Sequence, residues 1–196
     1  MQELKVIYED NHIIVVEKKP NIPSQSDKTG DMDMLTIVKE YIKEKYRKPG
    51  NVYLGLVHRL DRPVGGIMIF AKTSKAASRL SNQVREKIFK KEYLAVVDGE
   101  FEQRKGNLKD YLYKDERNNI SKVVEREKKN VKNLSLVKIN LHTGRHHQIR
   151  VQLSNFNHSI FGDQKYGTRG KGKQIALWAY KLTIKHPITK EEMEFT

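Results

Sequence analysis

Cysteine is absent from this chain of 196 residues. That excludes a disulfide framework, a thiol nucleophile and a cysteine-ligated zinc. Long apolar runs are missing as well. The opening segment Met1-Gln2-Glu3-Leu4-Lys5-Val6-Ile7-Tyr8-Glu9-Asp10 lacks the apolar stretch of a signal peptide. No run approaches the ~20 residues of a membrane span, so a reducing, cytoplasmic setting is expected. Gly65-Gly66 and Gly170–Gly172 lack the spacing of a nucleotide-binding phosphate loop, and no His-Glu-x-x-His pattern occurs. No repeat or low-complexity segment is present.

Acidic residues are few beside basic ones: 24 Asp and Glu against 38 Lys and Arg, a net charge of +14. Lysines and arginines set against phosphates release condensed counterions, so this excess points to nucleic acid as partner. A merely solvated basic surface is the alternative. Hydrophobic residues make up 37% and charged residues 32%, the balance of a polar globular protein. The length allows one domain with a proper core, or at most two small lobes.

Short β-branched runs at Val6–Tyr8 and Ile13–Val16 flank Glu9-Asp10-Asn11-His12, which reads as a turn between strands. A polar, proline-bearing loop spans Lys18 to Asp31. Asp33 is placed to cap a helix running to about Tyr46, with Leu35, Val38 and Ile42 on one face. A strand is expected just before His58, and the unbroken apolar run Ile67–Ala71 suggests one buried on both sides. Thr73 or Ser74 caps a second helix, with Ala76, Ala77, Leu80, Val84 and Ile88 inward and Lys75, Arg79, Arg85 and Lys87 outward. Tyr93–Val97 is again a strand. From Arg104 to Asn133 charge dominates, which suggests an exposed hairpin or lobe. Leu134, Leu136, Ile139 and Leu141 mark a strand, and Ile149, Leu153 and Phe156 fall at helical spacing. Leu182 and Ile184, then Met193 and Phe195 beyond Pro187, suggest a closing hairpin. Strands outnumber helices without regular β-α-β alternation, which favours an α+β fold.

Two segments stand out chemically. His58-Arg59-Leu60-Asp61 puts one carboxylate among basic residues, on a turn leading into an apolar strand. Gly144-Arg145-His146-His147-Gln148-Ile149-Arg150 begins an amphipathic segment with two guanidinium groups. Brought together, the two segments would make a desolvated Asp–Arg pair on a basic surface. A carboxylate kept ionised by a guanidinium can act as a nucleophile at a sugar or base carbon. The plain alternative for Asp61 is a turn aspartate that caps a backbone amide. His142, His146 and His147 are close in sequence, but Gly144 interrupts the spacing a zinc-binding helix face requires, and no metal is expected.

With Lys90-Lys91-Glu92-Tyr93-Leu94-Ala95-Val96-Val97, these segments resemble the signatures of the RluA-type RNA pseudouridine synthases, three motifs in the same order with similar spacing. The resemblance implies a mixed, largely antiparallel β-sheet with flanking helices around a central cleft. It also implies isomerisation of uridine in structured RNA, ribosomal RNA before transfer RNA, with no cofactor, nucleotide or metal. On this reading Asp61 is the essential residue, Arg150 forms its salt bridge, and Tyr93 stacks on the base or shuttles a proton. Arg59 reaches into the RNA to hold the space left by a flipped nucleotide. Arg145 either binds phosphate or braces the turn after Gly144, and His58 orients the loop.

Three departures bear on the site. Arg62-Pro63-Val64-Gly65-Gly66 stands where many members have Lys-Asp-Thr-Ser-Gly, with the same tight turn expected. Gln152 replaces a common histidine. The resemblance runs from near Ile7 almost to the end, so a single catalytic domain over 1–196 is expected, without the small N-terminal RNA-binding domain of many relatives, and as a monomer. Two other classes compete: a non-catalytic RNA-binding domain, and a hydrolase using Asp61. The first gains nothing from a buried carboxylate facing phosphates. The second calls for a second acid or a metal that neither motif supplies.

Overall fold

The computed structural model describes residues 4–101, 105–108, 113–115, 120–122, 133–167 and 172–196. The chain falls into two compact units: the described residues of Met1–Glu92 with Ala179–Thr196, and those of Tyr93–Trp178.

In the first unit, β1 (Val6–Glu9) and β2 (Ile13–Lys18) pair antiparallel across the expected turn. Asp10 closes that turn, one carboxylate oxygen accepting from the backbone N–H groups of His12 and Ile13, each at 2.7 Å. β2 in turn pairs antiparallel with β4 (Gly65–Ala71), from Ile13 opposite Ala71 to Lys18 opposite Gly66. All seven residues of β4 are buried, as its continuous apolar character predicts. β3 (Gly55–Leu56) also borders β4. The strand order here is β1-β2-β4-β9, where β9 is Leu177–Lys185, and β10 (Glu192–Phe195) closes a hairpin on β9. Leu182 faces Phe195 and Ile184 faces Met193, in the closing hairpin expected from the sequence. Ile13, Val15, Ile69, Leu80, Leu182 and Ile184 share one apolar core; truncating one such residue to alanine costs roughly 2–5 kcal/mol.

α1 (Met34–Lys45) starts at Asp33, whose carboxylate accepts from Thr36 N at 3.1 Å. Its buried residues are Met34, Val38 and Ile42, so Met34 takes the inward place expected of Leu35. α2 (Ser74–Arg85) is capped by Thr73. Its inward face is Ala76, Leu80 and Gln83, and Val84 is exposed. Gln83 earns that inward position by polar pairing: its amide donates to Lys185 O at 2.6 Å and accepts from Lys185 N at 2.9 Å.

In the second unit, β5 (Lys90–Asp98, entering this unit at Tyr93) neighbours β8 (Leu134–Leu141). β6 (Tyr113–Asp115) and β7 (Ile120–Lys122) form an antiparallel pair; the rest of the charged Arg104–Asn133 segment lies largely outside the described residues. α3 (Gln148–Asn155) ends before Phe156, which is its C-cap and 39% exposed. The expected face of Ile149, Leu153 and Phe156 therefore holds only for the first two. Phe156 turns outward, beside the rings of Phe101 and His158.

Candidate active site

Asp61 stands on a tight turn that Val64 N closes by donating to Asp61 O at 3.0 Å. This turn is held from beneath by Lys18. The lysine side chain is fully buried. Its Nζ donates to Val64 O at 2.6 Å, to Arg62 O at 2.9 Å and to Lys19 O at 3.3 Å. An ammonium has three donors and no acceptor, so it suits a cluster of carbonyls. Burial pushes the Lys18 amine down to about 7, against the opposing pull of the Asp61 carboxylate. The Asp61 charge thus acts directly on the cation that braces its own turn.

The flanks of the turn are fixed as firmly. Ser24 Oγ donates to Leu60 O at 2.7 Å and accepts from Leu60 N at 3.1 Å. Asn21 N donates to Arg62 O at 2.8 Å. Arg62 reaches away, pairing with Asp31 and donating to Thr29 Oγ1 at 2.9 Å. Gly66 has φ +128, and a Cβ there would lie 2.3 Å from Ala179 O. Only glycine fits, so the glycine ending this turn has a steric cause.

His58 is buried and orients the segment, as expected: its Nε2 accepts from Ile69 N at 3.2 Å. Burial, with Lys91 adding its charge, pushes the imidazole down to about 3, so it is neutral at physiological pH. Its ring packs on Phe89, centroids 5.2 Å apart. Arg59, one residue on, is exposed. Buried histidine and exposed arginine alternate, presenting one cation to solvent from an anchored turn.

The second cluster forms around α3. Gln148 organises the approach, its Oε1 accepting from Thr143 Oγ1 at 2.7 Å and Arg145 N at 3.1 Å. The brace after Gly144 is therefore Gln148, and the Arg145 side chain is left exposed. His147 takes the left-handed conformation at the helix start, φ 53, uncommon for a residue with a Cβ. Its Nδ1 lies 2.7 Å from Tyr166 Oη, and its ring stacks on His146. Burial first, then the charge of Arg150, pushes His147 down to about 3.

Arg150 is buried on α3. Its Nε donates to Asp163 Oδ2 at 2.8 Å and one Nη to Asp163 Oδ1 at 2.7 Å, a bidentate fork. Its guanidinium carbon lies 5.2 Å from the Tyr166 ring centroid. Burial raises the Asp163 carboxyl, but the Arg150 hydrogen bonds and charge, with the backbone N–H groups of Lys165 and Tyr166, outweigh it and hold the group below its usual range. Tyr93 is buried on β5, in the same unit.

Asp163 and Tyr166 were not singled out by the sequence. They sit in Gly162-Asp163-Gln164-Lys165-Tyr166-Gly167, between two glycines whose role is set by packing. A Cβ at Gly162 would lie 2.0 Å from Gln174 O and one at Gly167 2.6 Å from Asp163 O. Lys18 was read as the first residue of a loop and is instead the last of β2. Gln152, the other departure, is buried on α3.

The comparisons with known proteins agree with these motifs. The family described as RNA pseudouridylate synthase matches residues 12–155. The chain belongs to that family. YhcT of Bacillus subtilis strain 168, described as an uncharacterized RNA pseudouridine synthase, is 33% identical over 96% of this chain and 66% of its own length. Ribosomal large subunit pseudouridine synthase C of Haemophilus ducreyi is 33% identical over 99% of this chain and 65% of its own. The chain thus spans about two thirds of the length of these curated relatives. Among solved structures, Human RNA Pseudouridylate Synthase Domain Containing 1 shares the fold, with a TM-score of 0.76 at 22% identity over 100% of this chain and 83% of its own.

Proposed function

We propose that this protein isomerises uridine to pseudouridine in structured RNA, ribosomal RNA before transfer RNA. The family match over residues 12–155 carries this reading, because it spans both the Asp61 turn and α3. The name of the Haemophilus ducreyi relative supports the ribosomal preference. In the reaction the N1–C1′ bond of the uridine breaks, the uracil turns, and a C5–C1′ bond forms. C5 gives up its proton and N1 gains one, so the atoms balance with no redox equivalent or added group.

Asp61 starts this sequence, as nucleophile at the sugar carbon or as trigger of a glycal route. Arg150, in addition to its fork on Asp163, pairs with Asp61 and keeps it ionised once water is excluded. Tyr93 borders the base, stacking on it or relaying the proton. Flipping the uridine out of its stack costs roughly a few kcal/mol; Arg59, exposed beside Asp61, offsets part of it by filling the vacated space. Arg145 contacts phosphate. The enzyme works in the cytoplasm as a monomer. The test is to incubate purified protein with transcribed ribosomal and transfer RNAs and map pseudouridine by position. Site-specific formation in ribosomal RNA is expected. Tight RNA binding with no pseudouridine in any substrate would replace the enzyme by a binding protein.

A further inference from the structure

One basic feature of the first unit plays no part in the Asp61 turn. Along the outer side of α2, Arg79 and Arg85 border an open depression of about 310 Å³ with Lys185 and Lys190 from the end of β9 and the turn after it. Glu86 is the single acidic residue on its wall, and it accepts from Asn82 Nδ2 at 2.6 Å. Among the described residues none of the four cations forms an ion pair; Arg79 donates to Pro187 O at 2.7 Å and Arg85 to Asn82 Oδ1 at 3.0 Å. These contacts orient the two guanidinium groups without neutralising them. The two-way Gln83–Lys185 hydrogen bond fixes α2 to β9, so the floor of the depression is set by the fold.

Four cations against one carboxylate around a single hollow, in a chain of net charge +14, call for a polyanion. The lining holds no aromatic ring, so there is nothing for a base to stack on, and recognition is of the backbone. Gly66, five residues past Asp61, abuts Ala179 on β9. Lys185 lies six residues further along that strand, about 20 Å at the usual rise.

We propose that this depression is a second RNA-contact site that grips the phosphodiester backbone about 20 Å from the Asp61 turn. The inference rests on the RNA-directed function above and extends it: the enzyme measures RNA beyond the target base. RNAs too short to reach the depression bind without its help.

The test compares Arg85→Glu/Lys190→Glu with the parent protein on two labelled stem-loops, one ending near the target uridine and one extending well past 20 Å. On the long RNA, losing two phosphate contacts should lower the slope of log affinity against log salt by about 1.8 and weaken binding roughly tenfold or more at low salt. On the short RNA affinity should hold within about twofold. The neutral pair Arg85→Gln/Lys190→Gln should reproduce the slope change, and Lys43→Glu on α1 with Lys48→Glu just beyond its end serves as a charge-matched control. Equal loss on both RNAs, equal loss from the control pair, or no loss would each overturn the proposal. Affinity decides this question even if pseudouridine formation, followed in parallel, were to fail.

Discussion

Two buried cations organise this protein, and they do so in opposite ways. Lys18 in the first unit donates its Nζ to three backbone carbonyls, with no carboxylate bonded to it among the described residues, and so shapes the turn that carries Asp61. Arg150 in the second unit grips one buried carboxylate, Asp163, with a two-pronged fork. The chemistry of each residue matches its task. A lysine ammonium is a compact point charge whose three donors can serve carbonyls lying in different directions, whereas a guanidinium is planar and matches a carboxylate edge on. They also differ in persistence of charge. Burial brings Lys18 down to about 7, near its switching point at neutral pH, but an arginine stays charged throughout.

Removing the two cations separates these roles. Arg150→Ala strands Asp163, whose side chain is fully buried in its pair. The expected loss is roughly 3–5 kcal/mol of stability, measured by denaturant unfolding. A loss below about 1 kcal/mol would show that the fork is structurally idle. Lys18→Met keeps length and removes the donors. Val64 O loses its Lys18 donor, at about 1–3 kcal/mol, while Arg62 O keeps the Asn21 N–H; the loss is partly offset because the methionine needs no desolvation. Its turnover should fall further than its RNA affinity, since the turn loosens while the basic surface stays. Unchanged turnover would remove Lys18 from the machinery.

Titration sharpens the contrast. The folded-state pKa of Lys18 lies below its unfolded value, so between about 7 and 10.5 the unfolded chain binds more protons. Stability should therefore rise with pH across that window, and Lys18→Met should lack this contribution. His58 and His147 are held neutral, both down to about 3. As pH falls from about 6.5 toward 3 the unfolded chain takes up protons that these two refuse, and stability should decline. A flat unfolding midpoint from pH 7 to 4 would contradict the buried-neutral assignment of both histidines.

The sequence displayed the strands well because their signals are local. The unbroken run Ile67–Ala71, the Asp10 turn and the caps Asp33 and Thr73 each lie within a few residues of what they control. Residues that depend on distant partners were harder to see. Gln83 faces inward because Lys185, far along the chain, offers it a backbone N–H and carbonyl; apolar periodicity favoured Val84 instead. Lys18 lies in register with Ile14 and Val16 on β2, but in the sequence it reads as the start of a polar loop. Its charge argued for solvent, and only the fold supplies the three carbonyls. The Asp163 turn was missed because its glycines matter through packing against Gln174 and Asp163, which no local pattern displays.

Whether Asp61 performs chemistry on uridine is decided by Asp61→Asn, assayed for pseudouridine formation beside RNA affinity and unfolding. Asparagine keeps the shape but cannot act as an anion, so the loss should fall on turnover and not on binding. No detectable pseudouridine is expected, with RNA affinity and unfolding midpoint close to those of the parent. Turnover within about tenfold of the parent, a cost of only ~1.4 kcal/mol in the barrier, would contradict the assignment of Asp61 as the catalytic carboxylate.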